Sequence, residues 1–144
     1  MAGGGTPDGG GAVTALRVVV GLVFLGAGAL KTAQPVATVL AVGAYDLLPA
    51  PVALAGGLLL PGLEIAIGAS LLTGALVRSA AIWASLLSFL FALFVGWATV
   101  RGLDVSCGCF GPLTMVDRVG NGILLFDVAL LLASTAIWRR ASPK

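Results

Sequence analysis

Residues 80–100 read AAIWASLLSFLFALFVGWATV, an unbroken run without a charged side chain. At 1.5 Å rise per residue such a run forms a helix of about 30 Å, the thickness of the hydrocarbon core of a bilayer. Inside lipid the backbone must satisfy its own hydrogen bonds, and the run is roughly twice the ~9–11 residues of a barrel strand, so it is predicted as a transmembrane helix. The same reading extends in both directions. Upstream, residues 52–76 form a second span holding Pro61 and Glu64, and residues 12–30 form another, interrupted by Arg17. Downstream, residues 119–138 form the last, with Asn121 and Asp127. The predicted fold is therefore all-α, an integral membrane bundle of four helices occupying residues 12–138.

Composition agrees with this reading. Of 144 residues, 59% are hydrophobic and 10% charged, and the mean hydropathy is +1.11, values foreign to a domain with a solvated surface. The four spans leave no room for a separate soluble catalytic domain. A net charge of +2 without any histidine excludes a histidine-ligated metal or haem and argues against a nucleic-acid partner. The Gly-rich residues 1–11 are expected to form a disordered tail, and residues 139–144 a basic one. Between the first two spans, Val36 to Tyr45 is apolar but too short to cross, so an interfacial helix starting at Pro35 is predicted. The few residues around Arg78 force spans two and three into a tight antiparallel hairpin.

An even number of spans places both termini and the Arg78 turn on one side. Arg139, Arg140 and Lys144 follow the last span directly, which favours cytoplasmic termini and an outward-facing loop between spans three and four. Within the third span, Ala80, Ala84, Ser88, Ala92 and Gly96 recur at every fourth residue, the pattern of a packing seam, with Trp83, Phe89, Phe91 and Phe94 on the other faces.

Charged side chains inside a span must pair, face the interior or become neutral. Glu64 is expected near mid-membrane with Arg17 extending toward it, and Asp127 is expected to extend toward Lys31 or the loop between spans three and four. Each acid has two readings. One is a structural ion pair or an interhelical hydrogen bond, and the other is a proton-handling group that takes up the protons accompanying thiol oxidation.

The chain has two cysteines, Cys107 and Cys109, in the loop sequence SCGCFGP at residues 106–112. A disulfide between them would close a small, strained ring, and strained, exposed disulfides are the reducible ones. Such a short loop contributes little as a staple. Redox exchange competes with a local structural disulfide, idle thiols and a metal site. The last lacks ligands, since two sulfurs without histidine would need Asp104 or a second protein. Arg101 or Arg118 beside the loop would favour a thiolate, and Asp104 would oppose it.

These motifs together resemble the MauE branch of the DoxX-like four-helix membrane proteins, a family named for methylamine utilisation. The resemblance is carried by Lys31-Thr32-Ala33-Gln34-Pro35, Tyr45-Asp46-Leu47-Leu48-Pro49, Leu60-Pro61-Gly62-Leu63-Glu64, the Arg78 turn and Cys107-Gly108-Cys109-Phe110-Gly111. It implies a multi-pass protein of the bacterial cytoplasmic membrane that supports disulfide formation in exported proteins. In methylamine utilisation the family acts with a thioredoxin-like partner on the disulfide-rich small subunit of methylamine dehydrogenase. By that resemblance Cys107 and Cys109 would be the redox pair and Glu64 the buried acid. Disulfide generators of the DsbB and vitamin K epoxide reductase type use two cysteine pairs, whereas this chain has one, which points to electron exchange with a partner. A quinone is the alternative acceptor, with Trp97, Phe94 and Phe126 near the outer leaflet. Other readings are a non-catalytic membrane scaffold that holds a redox protein or maturing enzyme by its small-residue seam and loops, and a homo-oligomer.

Overall fold

The computed structural model describes residues 7–103 and 121–141. Five helices follow in order, α1 (Pro7–Ala33), α2 (Pro35–Ala44), α3 (Ala50–Thr73), α4 (Val77–Arg101) and α5 (Asn121–Arg140). No strand occurs among the described residues. Four helices, α1, α3, α4 and α5, are long and apolar enough to cross a membrane, and α2 is the short apolar helix expected between the first two spans. The outward faces carry exposed large apolar side chains such as Val19, Leu22, Leu59, Leu93, Leu125 and Leu132, a surface suited to lipid rather than water. The chain is a multi-pass membrane protein.

Several boundaries differ from those expected. Residues 7–11, read as part of a disordered tail, belong to α1; proline has no N–H to leave unsatisfied and its fixed φ suits a helix start. The span also runs past residue 30 to Ala33, so Lys31 lies in its last turn rather than in a loop. Arg78 falls in the first turn of α4, and the hairpin turn lies three residues earlier than expected. It consists of Gly74, Ala75 and Leu76, with Gly74 at φ +79° and Leu76 at φ +51°. Pro35 stands at the start of α2, as predicted. Pro61 lies buried within α3, which continues through it.

The helices associate chiefly as α1 on α3 and α4 on α5. Glycine sets the first pairing. A Cβ on Gly68 would stand 2.6 Å from the backbone nitrogen of Leu25, and one on Gly28 would stand 2.8 Å from the carbonyl oxygen of Pro61. The two backbones are therefore closer than any side chain allows, which is how lipid-embedded helices gain packing without a hydrophobic driving force between them. The anticipated seam on α4 is present only in its first half. Ala80, Ala84 and Ser88 are buried, but Ala92 and Gly96 are not, and the buried line continues through Val95 and Ala98. Successive residues turn by about 100°, so a strict every-fourth-residue line drifts about 40° per step around the helix. Trp83 and Phe89 face outward, while Phe91 packs against the core.

These contacts predict that Gly68→Val destabilises the bundle by about 1–3 kcal/mol, the usual cost of forcing volume into a packed interface. Gly62→Ala, where a Cβ meets nothing within 4 Å, should leave stability unchanged or slightly raised. Unfolding in mixed micelles followed by circular dichroism compares the two.

Candidate functional site

Lys31 ends α1 in sequence but not in depth. Counting along the antiparallel pair, Gly28 meets Pro61 and Ile65, and Gly21 meets Gly68, so α1 stops beside the middle of α3. The first half of α3 is covered instead by α2, whose Val39 backbone fits against Gly57 where a Cβ would stand only 2.8 Å away. Side chains on a helix lean toward its N-terminus, so Lys31 reaches back along α1 into the bundle. There its Nζ donates to Glu64 Oε1 at 2.6 Å, with the two residues 4% and 1% exposed. The Phe91 ring lies 5.2 Å from the same ammonium.

Asp127 joins this pair from α5. It is 1% exposed, lines the same small chamber as Lys31, Glu64, Ser88 and Phe91, and interacts electrostatically with Lys31. All four spans thus contribute to one polar cluster. Glu64 lies ten residues before Gly74, about 15 Å along the helix and so close to mid-membrane in a core about 30 Å thick. The cluster is the convergence of charge that a bilayer tolerates only when it faces inward and is paired.

Of the residues singled out by sequence, Glu64 and Asp127 meet, through Lys31. Arg17 does not join them. Its guanidinium lies 3.6 Å from where a Cβ on Gly74 would stand, about ten residues from Glu64 along α3, beside the C-terminus of that helix. The orphan carbonyls and the negative end of the α3 dipole give an arginine a favourable position there. Arg101 is exposed and stacks on Trp97, with its guanidinium carbon 4.4 Å from the ring centroid. Cys107, Cys109, Asp104 and Arg118 lie outside the described residues. The segment holding them joins the C-terminus of α4 to the N-terminus of α5, at the end of the bundle that also carries α2.

The sequence offers Lys31 only as a candidate partner of Asp127, not as the cation that pairs with Glu64. The signal was present in the sequence. A single lysine directly after an apolar run reads as an interface anchor, and only the early end of α1 against α3 makes it an interior group.

A second, larger cavity of about 130 Å³ opens on the α2 side of Lys31. Its walls are mainly apolar, from Val42, Leu60, Leu87 and Phe94, with Thr38 and Tyr45 adding polar atoms. Tyr45 is 7% exposed and its ring lies 5.8 Å from that of Phe94. Thr38 donates to the Gln34 carbonyl at 3.0 Å, anchoring the start of α2. Phe94 lines this cavity, Phe126 lines the smaller chamber, and Trp97 lines neither, so the three aromatics do not share one pocket.

A family profile described as Methylamine utilisation protein MauE matches residues 10–139. The chain belongs to the MauE family. The match runs from the first span to the last and includes Lys31, Glu64 and Asp127 as well as the cysteine segment. No curated protein and no solved structure matches the chain.

Removing one member of a buried ion pair leaves the other charge uncompensated, which costs about 3–5 kcal/mol in well-packed interiors. Lys31→Met, which leaves two buried carboxylates without a cation, should destabilise the bundle on this scale, whereas Glu64→Gln, which leaves Lys31 facing Asp127, should cost only a fraction of it. Arg17→Met, at the helix end, should cost clearly less. Unfolding midpoints in mixed micelles distinguish these outcomes.

Proposed function

We propose that this MauE-family protein is a membrane thiol-disulfide redox protein that uses Cys107 and Cys109 to support disulfide formation in exported proteins. The observation that carries the reading is the placement of the chain's two cysteines, one residue apart, in the segment that joins α4 to α5. A pair so close in sequence contributes little as a staple but is well suited to exchange. The family's link to methylamine utilisation supports it, because that process is associated with maturation of a disulfide-rich enzyme subunit, and methylamine metabolism is the proposed context.

Exchange runs through a mixed disulfide. A thiolate of a thioredoxin-like partner attacks one sulfur of the Cys107–Cys109 disulfide, forming the intermolecular bond and releasing the other cysteine as a thiol after protonation. The partner's second thiolate then attacks the mixed disulfide, leaving the partner oxidised and both cysteines of this chain reduced. Two electrons and two protons pass in total, and the same steps run backward when the partner is the oxidant. Arg101, exposed at the end of α4, supplies positive charge near the start of the segment, which favours a thiolate. The termini are proposed to be cytoplasmic, by the basic cluster after α5, which puts the cysteine segment and α2 on the outer side of the bacterial cytoplasmic membrane, where disulfides persist.

The cavity beside Lys31 favours a second reading, a quinone-linked oxidoreductase. Its volume of about 130 Å³ is close to the roughly 150 Å³ that accommodates a benzene ring in an apolar protein core, and Lys31 retains donors for a carbonyl oxygen. Such a ring, when bound, would supply an acceptor for two electrons and two protons.

The double variant Cys107→Ser/Cys109→Ser should lose all thiol exchange with a thioredoxin-like partner in proteoliposomes while folding normally. A thioredoxin-like partner that keeps only its attacking cysteine should accumulate as a mixed disulfide with the wild-type chain on non-reducing gels, because it lacks the second thiolate that resolves the bond. Retained oxidation of exported substrates by the double variant would favour the scaffold instead.

A further inference from the structure

We infer that the chamber where α1, α3, α4 and α5 meet is a proton-binding site, holding one exchangeable proton together with one water between Glu64, Ser88 and Asp127. Geometry supplies the first argument. The chamber measures about 20 Å³, room for a single water, which needs roughly 10–15 Å³. Three buried atoms around it have no hydrogen-bond partner among the described residues, Glu64 Oε2, Ser88 Oγ and Asp127 Oδ2. Their residues are each 1% exposed. A buried water makes two to four hydrogen bonds, so three orphaned atoms match what one water needs. The protonated carboxyl donates to the water, one water hydrogen serves the remaining carboxylate oxygen, and the Ser88 hydroxyl makes the third bond.

Charge supplies the second argument. The groups facing the chamber are Lys31 from α1, Glu64 from α3 and Asp127 from α5, while α4 contributes only Ser88 and aromatic carbon. The other described cations are elsewhere. Arg17 stands at the end of α3, Arg101 is stacked on Trp97, and Arg78, Arg139 and Arg140 are exposed. One ammonium between two carboxylates leaves a net negative charge in apolar surroundings, and lipid-embedded clusters do not retain uncompensated charge. A single proton restores neutrality beside the Lys31 ammonium. The inference is independent of the thiol chemistry, since it uses only groups inside the bundle.

The test is infrared spectroscopy of the full chain in proteoliposomes at neutral pH. One carboxyl per chain should show the C=O stretch of the protonated form, shifting in D₂O. That band should be lost or displaced in both Glu64→Gln and Asp127→Asn, and unchanged in Asp46→Asn. Ser88→Ala removes only a hydroxyl, so it keeps the test open if the acid variants fail to fold; it should displace the band, whereas Ser85→Ala should not. A spectrum with every carboxyl ionised at neutral pH would overturn the proposal. So would a band indifferent to Glu64, Asp127 and Ser88 together, or one that appears only when sodium is withdrawn, which would make the compensating charge a metal ion.

Discussion

An ammonium and a carboxylate placed near the middle of a bilayer persist only in each other's company, and the contact between Lys31 and Glu64 imposes its geometry on the rest of the bundle. It requires α1 and α3 to lie close enough for their side chains to meet in a dry interior. Gly21, Gly28 and Gly68 provide that approach. It also requires α1 to end early, so that the lysine reaches back into the bundle rather than out to the interface. The half of α3 left uncovered is then taken by α2, seated on Gly57. The short helix is thus a consequence of where the lysine must stand, and the larger cavity is the space left between α2 and the ion pair.

The four spans and the short helix were legible because they depend on one-dimensional quantities, namely apolar length and the placement of Pro35 and the charged residues. The polar site was legible only in part. Glu64 and Asp127 announce themselves as acids within apolar runs. Lys31 is one of the partners the sequence offers Asp127, but that the same lysine serves Glu64 cannot be read from depth counted along separate helices, because the register between helices is set by close packing. Arg17 seemed the natural partner by count, yet the glycine contacts place it about 15 Å from Glu64 along the helix and give it the end of α3 instead. Similarly, a line of small residues on α4 suggested a packing seam, while the closest backbones are those of α1 and α3, where Gly21 and Gly28 stand about two turns apart on one face among larger residues.

The molecule divides its polar chemistry between two depths. At one end, the segment with Cys107 and Cys109 joins α4 to α5. Deeper, Lys31, Glu64, Ser88 and Asp127 form a closed cluster contributed by all four spans. Lys31 lies between them in effect, since it borders both the cluster and the larger apolar cavity toward α2. Membership of the MauE family joins these two features in one chain. In the account proposed here, electrons move at the cysteine end and the buried cluster supplies a protonatable group below it, with Phe91 and Phe94 keeping the space between them apolar.

The most direct measurement is the redox state and sidedness of the cysteine pair. Intact cells are treated with a membrane-impermeant thiol reagent that adds mass to each free cysteine, with and without prior mild reduction. The account predicts that Cys107 and Cys109 are untouched at first and that both are tagged after reduction, as an outward-facing, reducible disulfide requires. Thiols that are tagged without reduction, or only once the membrane is broken, would contradict it.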